Sequence, residues 1–470
     1  MLQSRLWYSL GYSMGGVSVG SIWFPDDVAL LSPSTHALHS LLNISQSLTT
    51  CMLNVMEKTK LLAFAPKGDV SVAYWQKVSP LTMDGSPLPL SSEAEHVGVL
   101  RSPSGNLPSI SSRIAGHTKS LYSVISCGMA RHHRGNPAAS LRVEASYSAP
   151  KLFSGLATLC LTPSELEVLS LHCRTTLQRL QRLHPHTPAP ALHILSGSLP
   201  APALLHQHQF TLLHMVALLG QVNTLYQHAV YVLHHSVPNS WFSLLRQSAA
   251  LYSLPDPLQI LVCPPPKLEY KAKVKSAINE YWHATLVKQA ASLPSLCYLR
   301  LPFLPIGAGP HPVWWTCGSS SSAVRAATVQ AKMMSGRYRS CWLRRHWSGE
   351  SGACRLPGCG QVPGDVAHLL SAECPALQPY LATTLTHILA MLSPNKDLLS
   401  LFVNAVSDND RESAVSYILD PSTSPRVIAL VQQCGQGPVL EPLFRMSRAW
   451  IWSAHRARMR LLGLEKFLHI

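Results

Sequence analysis

The sequence predicts an α+β chain, strands first and helices after, and three observations carry that prediction. Short period-2 runs bounded by turn residues lie in the first hundred positions. Beyond them, apolar residues recur with the 3.6-residue period of helices. Proline is frequent, at 36 of 470 residues, so the helices should be broken by many turns. Charged residues make up 13% and apolar residues 47%, which excludes a highly charged disordered chain. A chain of 470 residues has room for roughly two to four domains, each with its own core.

Taken in order, Val17, Val19, Ser21 and Trp23 alternate with Ser18, Gly20, Ile22 and Phe24, and a short apolar run follows from Val28 to Leu31. Pro25, Asp26 and Asp27 between them favour a turn, so the pattern reads as a β-hairpin with paired aspartates at its tip. A helix should follow, with Ser32 as N-cap, Pro33 at the first helical position, and Leu38, Leu41, Leu42, Leu48 and Met52 on one face. A further strand is expected from Leu61 to Phe64, closed by Pro66 and Gly68. In the middle of the chain, Thr162, Pro163 and Glu165 form a capping-box signature. Behind it, Leu166, Leu169, Cys173, Leu177 and Leu180 form a helical stripe, with Arg174, Arg179 and Arg182 outside. Arg131, His132, His133 and Arg134 lead into a Gly135-Asn136-Pro137 turn. The proline-rich stretches near 184–202 and 254–267 read as loops between helices, and Gly318 with Ser319 to Ser322 reads as a flexible linker.

The net charge is +15, from 38 basic and 23 acidic residues. An excess of that size points to a polyanionic partner, nucleic acid ahead of an anionic membrane. Twelve irregularly spaced cysteines suit a reducing compartment, nucleus or cytoplasm, and not the secretory route. No apolar run is long enough for a membrane span. Gly11, Gly15, Gly16 and Gly20 interrupt any signal-peptide core near the N-terminus.

The most specific pattern is Cys354-x4-Cys359-x8-His368-x5-Cys374. Three thiolates and one imidazole fill a tetrahedral Zn²⁺ shell and leave no open position, so such a zinc would be structural. Pro357 and Gly358 supply a turn between the first two ligands, and Asp365 can cap a short helix that presents His368. The competing explanation is chance clustering in a chain with 23 histidines. Just upstream, Lys332, Arg337, Arg339, Arg344 and Arg345 interleave with Tyr338, Trp342 and Trp347. Cations for phosphate and aromatic faces for bases suit single-stranded nucleic acid; the alternative is a helix whose aromatics are core. Near the C-terminus, Arg445, Arg448, Arg456, Arg458 and Arg460 accompany Trp450, Ile451 and Leu461. That is a basic amphipathic helix suited to nucleic acid, a membrane surface or an acidic protein.

An Asp-Asp pair in a turn is ordinary turn chemistry, and it is also a pair of carboxylates able to hold a divalent cation. Its surroundings add to it. FPDDVALLS, then LNVMEKTKLLAF, then EHVGVL resembles, in order, the palm of the reverse transcriptases of non-LTR (LINE-type) retrotransposons. In that family the catalytic hairpin reads (F/Y)-A-D-D-V-x-L-L, followed by a helix, N-x-x-K-T and a (Y/H)-L-G turn. The segment from Asn54 to Thr59 is one residue longer than the family spacing. RIAGHTKSLYSVISCGMARHHRGNPAASLR resembles the thumb, and a similar Cys/His motif ends many LINE-type polyproteins.

The resemblance implies a partial right-hand polymerase palm over residues 1–104, followed by a mainly α-helical thumb over 105–235. A helical connector with a Ser-rich linker would span 236–330, the basic-aromatic segment with its CCHC zinc module 331–380, and a helical basic tail 381–470. It implies Asp26 as a Mg²⁺ ligand supported by Asp27, Lys58 as proton donor to the leaving pyrophosphate, and His96 and Gly98 at the primer. RNA template and DNA would be the partners. Two departures stand out: Pro25 replaces a small residue, and no acidic residue precedes Asp26, whereas a two-metal site needs an upstream carboxylate. The expectation is a truncated RNA-directed DNA polymerase fragment that binds nucleic acid and is catalytically incomplete alone. The alternatives are a zinc-dependent RNA- or DNA-binding protein without a polymerase role, a catalyst completed by a carboxylate from elsewhere, or a product with no function.

Overall fold

The computed structural model describes residues 12–14, 17–19, 21–23, 28–49, 59–62, 64, 80–83, 86–96, 99–126, 135–299, 305–338, 352–360, 362–371, 373–392, 395–406 and 410–465. They are mostly helical, with short antiparallel strand pairs confined to the first part of the chain. The α+β order read from the periodicities is the observed one.

The expected hairpin forms. Ser21–Trp23 pairs with Val28–Leu30, Trp23 opposite Val28, while Val17–Val19 turns back on Tyr12–Met14. Phe24 to Asp27, and with them both aspartates, lie outside the described residues, as do Lys58 and Gly98. The remaining pairs are Thr82–Met83 with Ser86–Pro87 and Ala94–His96 with Val99–Arg101. Each pair is a separate two-stranded sheet, so the described residues contain no continuous sheet of the kind a polymerase palm uses.

Two local expectations need correction here. Ser34, not Ser32, caps the helix Thr35–Thr49: its Oγ accepts the Ala37 N–H at 3.2 Å, while the Ser32 hydroxyl donates to the Ser34 carbonyl at 3.0 Å. Pro33 therefore precedes the cap. And Leu61 makes a single parallel bridge to Leu90 in place of a strand, with Phe64 exposed. The helix buries Leu42 against Leu81 and Leu88, with Leu30, Leu38 and Leu61 packed around them.

The chain divides into two compact units. The first comprises Met1–His117, Lys151–Leu169 and Ala201–Ile278. Its helices Ala201–Ala217, Thr224–His234, Trp241–Leu251 and Pro257–Val262 bury Phe210, Leu213, Val232, Leu233, Leu245 and Leu261. Asp256 caps the last of these with a 2.8 Å bond from the Leu258 N–H, so part of the 254–267 stretch is helix. The capping box forms as read: Thr162 N–H donates to Glu165 Oε2 at 2.8 Å, and Glu165 N–H to Thr162 Oγ1 at 3.3 Å. Asn106 adds its own N–H to Oε1 at 2.8 Å and its amide to Oε2 at 3.1 Å. Burial pushes this carboxyl up, but the bonds from Thr162 and Asn106 outweigh it and hold Glu165 below the usual range. Of the predicted stripe on the helix Pro163–Gln181, Leu169, Leu177 and Leu180 are buried, and Leu166 and Cys173 are half-buried.

The second unit comprises Thr118–Pro150, Ser170–Pro200 and Asn279–Ile470. Its centre is the helix Gln436–Leu461, which packs against Ser321–Met334, Gln378–Leu392, Arg411–Leu419 and Pro425–Cys434. That overturns its reading as a basic tail. Leu440, Leu443, Phe444, Trp450 and Ile451 are buried, and so are Arg448 and Arg458, because neighbouring helices enclose more of its circumference than its apolar stripe alone. The Ser-rich stretch is likewise no linker: the Ser320 Oγ accepts the Ala323 N–H at 3.3 Å and starts the buried helix Ser321–Met334. Serine is common in both settings, since the same hydroxyl that favours loops satisfies a helix's first N–H groups.

The proline-rich stretch 184–202 contains the helix Ala189–Ser196, buried from Pro190 to Ser196. Proline in a first turn helps a helix, since its missing N–H has no partner there anyway. Gly197 ends this helix at φ +66°, and a Cβ there would stand 1.7 Å from the Gly309 carbonyl oxygen. Gln181 braces the same region: its amide donates to the Leu192 carbonyl at 3.0 Å, and its oxygen accepts the Trp314 indole N–H at 3.2 Å.

Candidate metal centre

Cys354 and Cys359 sit on a tight turn. Ala353 bridges antiparallel to Pro363, the Cys354 N–H donates to the Val362 carbonyl at 2.7 Å, and Gly364 N–H to the Gly352 carbonyl at 2.9 Å. Gly358 at φ +78° lets the loop close between the two thiols, a conformation costly for other residues. Asp365 then caps the short helix Val366–Leu370, its Oδ1 accepting the N–H of His368 at 2.7 Å. The backbone of His368 is thereby fixed by the residue the sequence reading assigned to that role. Cys374 lies just before the helix Gln378–Leu392, and its carbonyl accepts the Leu377 and Gln378 N–H groups at 2.9 and 3.1 Å.

These four side chains converge. One donor atom from each lies within 4.8 Å of all the others, and all four residues are buried. The Cys359 and Cys374 sulfurs are 3.4 Å apart, well beyond the ~2.05 Å of a disulfide. Both ring nitrogens of His368 are buried and make no hydrogen bond. A buried imidazole with neither nitrogen satisfied is expensive unless a bond outside the protein's own groups completes it. Burial pushes the Cys359 and Cys374 thiols up and the His368 imidazole down. Burial thus favours the neutral forms of Cys359, Cys374 and His368, and a bound cation would have to displace the thiol protons. The donor set fits a metal ion: an all-buried Cys₃His cluster closed to substrate.

The surrounding side chains hold this cluster in place, and no local motif marks them. Arg411 reaches Asp365 at 3.3 Å and Glu373 at 3.2 Å, tying the cap to the residue before Cys374. The indole N–H of Trp450 donates to the Leu370 carbonyl at 2.9 Å, satisfying one of the last carbonyls of the His368 helix. Arg411 lies 37 residues past Cys374, and nothing in its spacing marks it out.

No protein-family model matches this chain, and no curated protein does.

Of the other expected site residues, the structure describes His96, Arg337 and Tyr338. His96 ends the strand Ala94–His96, half-buried and opposite Val99. Arg337 is half-buried. Tyr338 is only 6% exposed, and its hydroxyl lies 2.9 Å from His455 Nδ1 and accepts from Arg458 at 3.2 Å. The Arg458 guanidinium stands 5.4 Å over its ring. The ring of Tyr338 is therefore packing within the core and offers no face to a base, a correction to its reading as a stacking residue. Arg339, Trp342, Arg344, Arg345 and Trp347 lie outside the described residues.

Proposed function

We propose that this chain binds nucleic acid, RNA and DNA, through a basic region organised by a structural zinc, as a portion of a LINE-type reverse transcriptase. Cys354, Cys359, His368 and Cys374 would hold the zinc. Three thiolates favour a borderline-soft ion such as Zn²⁺ over Mg²⁺, and a tetrahedral shell with ~2.3 Å Zn–S bonds has edges of about 3.8 Å, of the order of the spacing found. The observation that carries the reading is this closed cluster, whose imidazole has both nitrogens buried and unbonded. It directly follows the basic-aromatic segment in the chain. The net charge of +15 supports a polyanion as partner.

The closed Cys/His cluster equally supports a second reading, a zinc-dependent RNA- or DNA-binding protein with no polymerase role.

Primer extension on an RNA template, with Mg²⁺ or Mn²⁺ and an Asp26→Ala, Asp27→Ala control, separates the readings. Salt-sensitive template binding without extension is the expected result. Extension that disappears in the control would mean the polymerase site is assembled after all, and no binding at any salt would sink both readings.

A further inference from the structure

Away from the Cys/His centre, the second unit holds a cleft of about 410 Å³ whose wall includes Thr316, Ser322, Glu441, Arg445, Arg448 and Trp452. Its charge is unusual. Arg448 is 6% exposed, and its guanidinium donates to the Thr316 hydroxyl and the Thr316 carbonyl, each at 2.7 Å. Both acceptors are neutral, and among the described residues no carboxylate lies within ion-pair distance of Arg448. Buried guanidinium groups are ordinarily paired with a carboxylate. Here two of the five N–H donors are used on Thr316, and the Glu441 carboxylate acts on the charge only from beyond ion-pair distance. Burial lowers this group to about 10, so it remains cationic at neutral pH.

The rest of the cleft has matching chemistry. Arg445 contributes a second guanidinium, paired at 3.3 Å with Glu441, which lies one turn back on the same helix and also lines the cleft, so a bound phosphate has to compete with this exposed pair. The first turn of the helix Ser321–Met334 supplies Ser322 and Ala323 to the wall and contains no acidic residue. Such a helix start favours an anion. Trp315 and Trp452 add aromatic surface.

We propose that this cleft is a nucleotide pocket: Arg448 and Arg445 take a phosphate of a single nucleic-acid strand, and Trp452 takes the neighbouring base. Planar guanidinium groups match phosphate oxygens in a way a lone lysine does not, and an indole stacks on any base. The proposal rests on the nucleic-acid reading above and names where one strand contact is made.

The test uses the full zinc-loaded chain and a fluorescein-labelled oligothymidylate of about eight nucleotides, within the usual site size for such binders. Arg445 and Glu441 are exposed, so their variants should fold, which circular dichroism checks. Arg445→Glu should weaken binding about tenfold or more and reduce the salt slope by about one. Glu441→Gln, which frees Arg445, should tighten binding about threefold. Trp452→Leu should weaken it about fivefold while the salt slope stays unchanged, since stacking releases no counterion.

If Arg445→Glu and Glu441→Gln bind the strand as the parent chain does, the pocket assignment fails while the nucleic-acid reading stands. If the parent chain binds no strand, both fail together. Inorganic phosphate that quenches tryptophan fluorescence in a chain that binds no strand, or tighter binding of polyglutamate than of the oligonucleotide, would also overturn the strand assignment.

Discussion

Two buried clusters in the second unit leave polar groups incomplete in opposite senses. At Cys354, Cys359, His368 and Cys374, four buried donors converge on one point, and both nitrogens of the imidazole make no hydrogen bond within the protein. At Arg448, a cation is enclosed whose hydrogen bonds go to two neutral acceptors of Thr316, with the Glu441 carboxylate beyond ion-pair distance. The usual answer to burial appears elsewhere in the same unit: the His193 imidazole, with Nδ1 3.0 Å from the Ser198 carbonyl, gives up its charge and is pushed down to about 4. Guanidinium cannot do the same near neutral pH. Where a side chain can shed its charge, burial is settled within the protein; where it cannot, or where several donors point at one spot, the remaining partner has to come from outside.

The largest expected effect is at the donor cluster. Cys374→Ser should drop bound zinc from about one per chain to near none, because structural sites of this kind bind with roughly 10–16 kcal/mol. Metal content by mass spectrometry reads this directly, and new protease cuts should fall between residues 352 and 381. Cys317→Ser, also buried but outside the cluster, should keep its metal. Equal zinc in both variants would remove one half of the comparison.

Next comes the group that sheds its charge. Folded His193 is lowered from 6.5 to about 4, so the unfolded chain binds the proton first as pH falls. The stability it contributes is complete above pH 6.5 and declines from there to about pH 4, by up to about 3 kcal/mol at 1.36 kcal/mol per unit. Urea midpoints of the parent chain and His193→Gln at pH 7 and 4.5 isolate this slope. A slope unaltered by the substitution would show that His193 is not held neutral.

The smallest effect concerns Arg448. Thr316→Val removes one of its two neutral acceptors and should cost about 2 kcal/mol, the range for stranding a buried polar group. A midpoint that does not move would mean the guanidinium is solvated without Thr316, and the contrast with His193 would weaken.

The sequence announced the donor cluster well and the Arg448 cleft not at all. Four Cys and His residues at finger-like spacing are rare, their ligand geometry is set locally, and both the Pro357-Gly358 turn and the Asp365 cap lie within the motif. The capping box at Thr162 and Glu165 was legible for the same reason. Arg448 looked like its neighbours Arg445 and Arg456, because whether an arginine on an amphipathic helix is buried depends on Thr316, 132 residues earlier. Tyr338 misled in the same way, its partners His455 and Arg458 lying 117 and 120 residues onward. Ser319 to Ser322 and the proline-rich 184–202 stretch failed differently: serine and proline serve helix starts as readily as loops, and only packing decides which.

The central position of the helix Gln436–Leu461 also bears on synthesis. It is the last described helix to leave the ribosome, yet Thr316, Tyr338 and Leu370 all depend on it for partners. At some 5–20 residues per second, the earlier segments of the unit wait many seconds with their apolar faces uncovered. A stalled ribosome or premature stop before residue 436 would therefore release a chain whose second core has never closed, a natural substrate for chaperones and proteases.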